Sequence, residues 1–258
     1  MVSSITLKNL IIGYRSKHQL RAIASPVHAS LQAGELTCLI GANGVGKSTL
    51  LRTLAGFQPA LDGEILIQDK SLSDFSAQEL AREISIVLTT KTDHAQLSAE
   101  EIVGIGRSPY TGFWGTLSAA DKQIVAAALQ EAGIQHLAQR NISELSDGER
   151  QKVMIAKALA QQTRIIILDE PTAFLDFPSK IETLQMLRRL AHKQHKSILL
   201  STHDVELALQ LSDRLWLMEE SRFSIGTPKE LAADDSLSRF IDRDGIRFNQ
   251  DSLRIEIK

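Results

Sequence analysis

The sequence is poor in cysteine, in aromatic side chains, in long apolar runs and in any excess of one charge. Cys38 is the one cysteine of 258 residues, so no intrachain disulfide can form, and no Cys/His cluster has zinc-site spacing. Lysine plus arginine (29) nearly balance aspartate plus glutamate (31), giving a formal charge of -2 and no broad basic field for wrapping nucleic acid. The longest apolar runs, such as Ile124–Leu129 and Ile165–Leu168, fall far short of the roughly 18 residues a membrane-spanning helix requires. Met1–Tyr14 lacks the basic, apolar and small-residue succession of a signal peptide and reads as a first strand. These absences lead to the expectation of a soluble cytoplasmic chain.

What is present is an ordinary globular composition, 43% hydrophobic and 23% charged, long enough for one large domain or a domain with an insertion. Short β-rich runs alternate with helical patterns, as in a parallel α/β sheet. Ile5–Ile12, segments of Leu20–Leu31, and Gly63–Ile67 predict an antiparallel flank. Leu36–Ile40, Ile84–Leu88, Ile165–Leu168 and Ser197–Leu200 are short apolar runs of the kind that form buried central strands. Between about 92 and 160 the pattern is helical. Ser98 with Glu101, and Ser118 with Asp121, have capping-box spacing, and Gly133 is a plausible helix stop. The division expected is a catalytic core from 1–91 and 161–225, a helical subdomain from 92–160, and an extension from 226–258. The extension reads as a short helix followed by a hairpin (Ile246–Phe248, Leu253–Ile257).

Gly41-Ala42-Asn43-Gly44-Val45-Gly46-Lys47-Ser48 matches the P-loop pattern, with a predicted strand before it and a predicted helix, Thr49–Ala55, after it. Such a loop curls its backbone N–H groups around phosphate oxygens, at the favourable end of the following helix. Gly41, Asn43, Gly44, Val45, Gly46, Lys47, Ser48 and Thr49 are therefore expected to bind the nucleotide. Lys47 supplies charge to the β- and γ-phosphates, and Ser48 is a Mg²⁺ ligand. Ile165–Leu168 then runs into Asp169-Glu170, putting two carboxylates at the sheet edge where α/β ligands bind. Asp169 is expected to hold Mg²⁺, and Glu170 to orient and deprotonate an attacking water.

With these two motifs, Leu145-Ser146-Asp147-Gly148-Glu149-Arg150-Gln151 resembles the signature of ABC transporter ATP-binding subunits, and the resemblance extends over essentially the whole chain. Pro171-Thr172-Ala173-Phe174-Leu175-Asp176 resembles the family's D-loop, and His203 follows a predicted strand where the family has its switch histidine. The resemblance implies an α/β fold, a P-loop NTPase (RecA-like) core with an antiparallel β flank and an inserted helical subdomain. It implies an ATPase using ATP and Mg²⁺, working as a head-to-tail homodimer with two nucleotides between subunits. Ser146 and the Gly148 N–H would then meet the partner's γ-phosphate, Asp176 would join the nucleotide-binding set, and His203 would reach the γ-phosphate of its own subunit. Tyr14 matches the aromatic that stacks on adenine; as an isolated residue it also reads as an ordinary strand-end tyrosine.

The chain departs from the family pattern in two places. Asp147 and Glu149 replace a glycine and a glutamine of the signature, bringing negative charge toward the expected γ-phosphate. Ser146 and Glu149 equally form a capping box for the following helix, with Arg150 able to offset the charge. Thr89 stands where the family has a Mg²⁺-contacting glutamine, with Gln96 a late substitute.

Gly106-Arg107-Ser108-Pro109-Tyr110 and the signature region resemble the ATPases of iron-siderophore, haem and cobalamin importers. That implies a separate integral-membrane permease, a periplasmic or surface solute-binding protein, no nucleic acid, and a peripheral position on the cytoplasmic face of the inner membrane. Tyr110, Phe113 and Trp114 read either as a permease-facing surface or as a locally packed loop. The alternative function is a non-transport or regulatory ABC-type ATPase. Cys38, inside an apolar strand, reads as a small buried hydrophobe.

Overall fold

Strands that end together on one sheet edge determine where chemistry can occur here. The computed structural model describes residues 3–15, 20–23, 26–88 and 96–257. β1 (Ser3–Ile11), β2 (Gly13–Arg15), β3 (Leu20–Ala22) and β4 (Val27–Gln32) open the chain, and β5 (Leu36–Gly41) runs into α1 (Lys47–Leu54). β6 (Asp62–Ile67), β7 (Lys70–Ser71), α2 (Ala77–Glu83) and β8 (Ile84–Val87) follow. Three helices come next, α3 (Ala99–Ile105), α4 (Ala119–Glu131) and α5 (Asp147–Ala160). The chain then alternates through β9 (Ile165–Leu168), α6 (Phe177–Gln194), β10 (Ser197–Ser201), α7 (Val205–Leu211), β11 (Arg214–Met218) and β12 (Phe223–Gly226). It closes with α8 (Pro228–Ala233), α9 (Ser236–Ile241), β13 (Ile246–Asn249) and β14 (Arg254–Ile257).

The central sheet has the order β12-β11-β5-β10-β9-β8, parallel except for the edge strand β12. The flank sheet, β4-β1-β6-β7, is antiparallel throughout. Period-two alternation explains why central strands read as unbroken apolar runs: both of their faces are covered. Ile166 and Leu168 join the cluster on the helical side, whereas Ile165 and Ile167 join the cluster between the sheets. β5 divides likewise, with Leu36, Cys38 and Ile40 on the first side and Leu39 on the second. Burying one such leucine or isoleucine contributes roughly 1.5–3 kcal/mol, so a polar substitution on either face would be felt.

The helix starts follow the sequence signals. Ser98, Ser118 and Ser146 each accept a hydrogen bond from the backbone N–H three residues on, completing capping boxes with Glu101, Asp121 and Glu149. Three details differ from expectation. β11, a central strand, lies in Arg214–Met218, where a short helix and the Ser212-Asp213 turn obscure its pattern. The tail has two helices, because Asp235 takes a left-handed conformation (φ 61) and breaks the run. The strand before the Thr89 segment ends at Val87, one residue early, a difference within ordinary helix and strand fraying.

Candidate active site

β5 delivers the glycine-rich loop directly to the sheet edge. Gly41 has no room for a side chain, since a Cβ there would lie 2.4 Å from the carbonyl oxygen of Met218 on β11. Gly46 caps α1 in a left-handed conformation (φ 114), and a Cβ would meet Ile23 at 2.4 Å. Lys47 is buried at the first position of α1 and its Nζ donates to the carbonyls of Gly41 (2.9 Å) and Ala42 (3.1 Å). Burial holds its pKa below the ordinary lysine value, while Glu170 and Asp169 push in the opposite direction.

A polar chain crosses the ends of three strands. Ser48 Oγ donates to Asp169 Oδ1 at 3.0 Å, and Ser201 Oγ donates to the same oxygen at 2.8 Å. Ser201 Oγ in turn accepts the Glu170 N–H at 2.9 Å. Glu170 occupies a left-handed conformation (φ 50), which costs an L-residue about 1–2 kcal/mol, and the bond to Ser201 helps hold it there. His203 Nε2 is hydrogen-bonded to Glu170 Oε1, joining the loop after β10 to the loop after β9. Sequence reasoning missed Ser201, the hinge of this network. Its signal was one hydroxyl ending an otherwise apolar strand.

Tyr14 is 55% exposed at the rim, and its hydroxyl pairs with Thr49 Oγ1 at 3.0 Å. Gln58 Nε2 donates to the Gly13 carbonyl (3.1 Å), fixing the strand that carries the ring. Tyr14, the P-loop, Glu170 and His203 line one cleft of about 1100 Å³, large enough for a nucleotide. Arg239, Phe240 and Arg243 of the C-terminal segment line it too, and no sequence signal marked them.

Other expected site residues lie outside this group. Ser146 caps α5, with its N–H and Oγ both donating to Glu149 Oε2 at 2.8 Å. Those bonds hold the Glu149 carboxyl below its usual range. Asp147 Oδ1 pairs with Arg150 Nη2 at 2.6 Å. Both unexpected carboxylates therefore have partners within their own helix. Among the described residues lining the cleft, none comes from 146–150. Asp176 accepts the Ser179 N–H (3.1 Å) as the cap of α6, and the Ser179 hydroxyl together with that N–H lowers its pKa. Thr89 lies outside the described residues, and Gln96 is exposed.

Phe113 (96% exposed) and Trp114 (88%) meet edge to face at 5.5 Å. Tyr110 instead stacks on the Arg107 guanidinium, 4.1 Å from its ring centre, and donates to the Gln161 carbonyl at 3.0 Å. The trio thus divides into one partly exposed ring held against Arg107 and two that are almost fully exposed. Cys38 is buried, and desolvation pushes its thiol up to about 12.

Fold and site together define a P-loop ATPase. Residues 24–173 match the ABC transporter family. The iron(3+)-hydroxamate import ATP-binding protein of Bacillus subtilis is 34% identical over 239 residues, covering 92% of this chain and 87% of that one. The achromobactin transport ATP-binding protein of Dickeya dadantii is 34% identical, covering 93% and 88%. A metal-chelate type ABC transporter solved facing inward has a TM-score of 0.79 at 26% identity, covering 93% and 89%. A dimeric ATP-binding cassette solved with ADP and Pi after hydrolysis has a TM-score of 0.75 at 25% identity, covering 87% and 98%. The chain belongs to the ABC transporter ATP-binding family. Among the described residues no helix is long and apolar enough to cross a membrane.

Proposed function

We propose that this chain is the ATP-hydrolysing subunit of an importer for an iron-siderophore, haem or cobalamin-type solute. It acts as a homodimer on a separate permease, fed by a periplasmic or surface binding protein, at the cytoplasmic face of the inner membrane. The observation that carries the catalytic part is the linked set Ser48–Asp169–Ser201–Glu170–His203 beside the P-loop. The names and coverage of the import relatives support the transport part.

In this reading residues 1–91 and 161–225 are the catalytic core, 92–160 the helical subdomain and 226–258 an extension. Gly41, Asn43, Gly44, Val45, Gly46, Ser48 and Thr49 hold the phosphates through backbone N–H groups and the start of α1. Lys47 adds a cation, and Tyr14 stacks on the base. Ser48 Oγ and Asp169 Oδ1 lie 3.0 Å apart, two hard oxygen donors at one point of the cleft that would hold Mg²⁺. That ion supplies charge neutralisation on the transferring phosphoryl group. Glu170 accepts the proton of the attacking water at a carboxylate oxygen, and His203 orients Glu170 and reaches the γ-phosphate. Ser146 and Gly148 complete the partner's site, with Asp176 next to them at the dimer seam. Thr89 takes over the role of the family glutamine toward Mg²⁺.

Phe113 and Trp114 are the exposed aromatic pair suited to meet the permease. The test is isolation of the intact complex, identification of its permease, and uptake of labelled iron chelates, haem and cobalamin with wild-type and Glu170→Gln chains. Uptake of one solute that disappears with Glu170→Gln supports the proposal; complexes lacking a polytopic membrane protein overturn it.

A further inference from the structure

Helix α9 and the residues just after it bring two guanidinium groups to the cleft that holds the P-loop, Arg239 from the helix and Arg243 from beyond its C-terminal cap. Arg239 and Arg243 line it together with Tyr14, Lys47 and Glu170. The helix is a fixed support, because Leu237 and Ile241 are buried beneath it. The hairpin behind it is tied down as well. Phe248 N–H donates to Asp242 Oδ1 at 2.7 Å, and Gln250 Nε2 donates to Asp235 Oδ1 at 2.7 Å.

The acidic partner of Arg239 is attached to the P-loop's own strand neighbour. Met218 pairs with Gly41 in register, and Glu219 and Glu220 follow it into the cleft lining. Arg239 Nη2 is 3.6 Å from Glu219 Oε2 and donates to Ser236 Oγ at 3.2 Å. Glu219 Oε2 is buried and, among the described residues, has no hydrogen-bond partner. The ion pair is therefore loose: a desolvated carboxylate oxygen faces a guanidinium that still has donors to offer. A guanidinium carries five N–H donors in a fork matched to phosphate, and charge-assisted bonds to an oxyanion are shorter and stronger than this pair.

We propose that Arg239, with Arg243 beside it, binds the polyphosphate of the nucleotide, exchanging its loose pairing with Glu219 for phosphate oxygens. The C-terminal extension thereby becomes a wall of the nucleotide site, and Glu219 a competitor that weakens the grip. The inference rests on reading the cleft as the nucleotide site, so the test must separate the two.

Equilibrium binding of MgATP, MgADP and adenosine to the full chain, at low and moderate salt, provides that separation. Arg239→Gln should raise the Kd for MgATP about 3- to 10-fold and flatten its salt dependence, leaving adenosine unchanged. Arg239→Lys should fall between wild type and Arg239→Gln. Arg239→Gln/Arg243→Gln should weaken MgATP further than either change alone. Glu219→Gln should move the other way and tighten MgATP. Arg247→Gln, on β13 outside the cleft lining, is the matched control and should bind as wild type. Thermal unfolding without nucleotide verifies that each variant is folded. Wild-type affinity in Arg239→Gln overturns the proposal. So does equal weakening in Arg239→Gln and Glu219→Gln, which would mean the pair only anchors the tail. If Lys47→Ala also binds MgATP normally, the cleft itself has been misread; if Lys47→Ala loses binding while the tail variants keep it, only the role of the tail fails.

Discussion

His203 Nε2 is hydrogen-bonded to Glu170 Oε1, although the two residues are 33 positions apart and follow different strands. The contact orients the carboxylate from outside its own loop. It predicts two distinguishable losses. Glu170→Gln should lower kcat by about 100-fold or more, the range of a lost general base, while MgATP still binds. His203→Ala should lower kcat less and also leave binding in place. Phosphate release and nucleotide binding, measured on the same preparations, check both; a fully active Glu170→Gln enzyme would remove the carboxylate from the chemistry.

Ser201→Ala removes one hydroxyl that serves both Asp169 and the Glu170 backbone. Leaving the Glu170 N–H without that acceptor should destabilise the chain by about 1–3 kcal/mol. The kcat should fall with it, since Asp169 and Glu170 lose their shared anchor. Ser201→Thr retains the hydroxyl and should recover part of both. Unfolding and steady-state rates read the two effects separately.

In the signature, Asp147 and Glu149 are already engaged at the start of α5, and in the proposed head-to-tail dimer their charge would face the partner's phosphate. Asp147→Gly/Glu149→Gln should therefore strengthen ATP-dependent dimerisation. Sedimentation in a Glu170→Gln background, with and without ATP, measures it. An unchanged dimer constant would mean that Arg150 and the capping bonds neutralise both carboxylates completely. Arg150→Gln alone should weaken the dimer, because it releases Asp147.

Asp121 predicts a pH signature. Its carboxyl receives bonds from Ser118 and, at 2.8 Å, from the Arg107 guanidinium, and these lower its pKa from 3.8 to about 2. A depressed folded-state pKa contributes stability that is present above the unfolded value and lost as pH falls through the folded one. Wild type should exceed Asp121→Asn by a constant margin at neutral pH. That margin should shrink from about pH 4 downward and approach its minimum near pH 2. Chemical unfolding of both proteins across this range supplies the comparison, and a pH-independent margin would contradict it.

Features whose residues lie close together in the chain were readable before the structure. The glycine-rich loop, the Asp169-Glu170 ending and the Ser146–Glu149 cap each involve neighbours within a few positions, so spacing carried the physics. Ser201 was not readable in that way. Its hydroxyl matters because β10 lies beside β9 in parallel register, and a serine ending a strand looks the same wherever the strand is placed. Arg239 and Arg243 were hidden for the same reason, being brought to the cleft by packing of the tail. β11 escaped notice although its apolar stretch, Leu215–Met218, is as long as Ile165–Leu168; a short helix runs almost directly into it, with only Ser212 and Asp213 between them. Trp216 nonetheless fills the space between the two sheets.

With Glu170 as the proposed general base, its left-handed backbone sets protein engineering and catalysis against each other at one position. A search for thermostable variants rewards residues that accept positive φ, so Glu170→Gly and Glu170→Asn would relieve local strain. Each would also discard the carboxylate that meets His203. Heat tolerance and turnover should then diverge most sharply here, and a library ranked by melting temperature alone would enrich for inactive proteins.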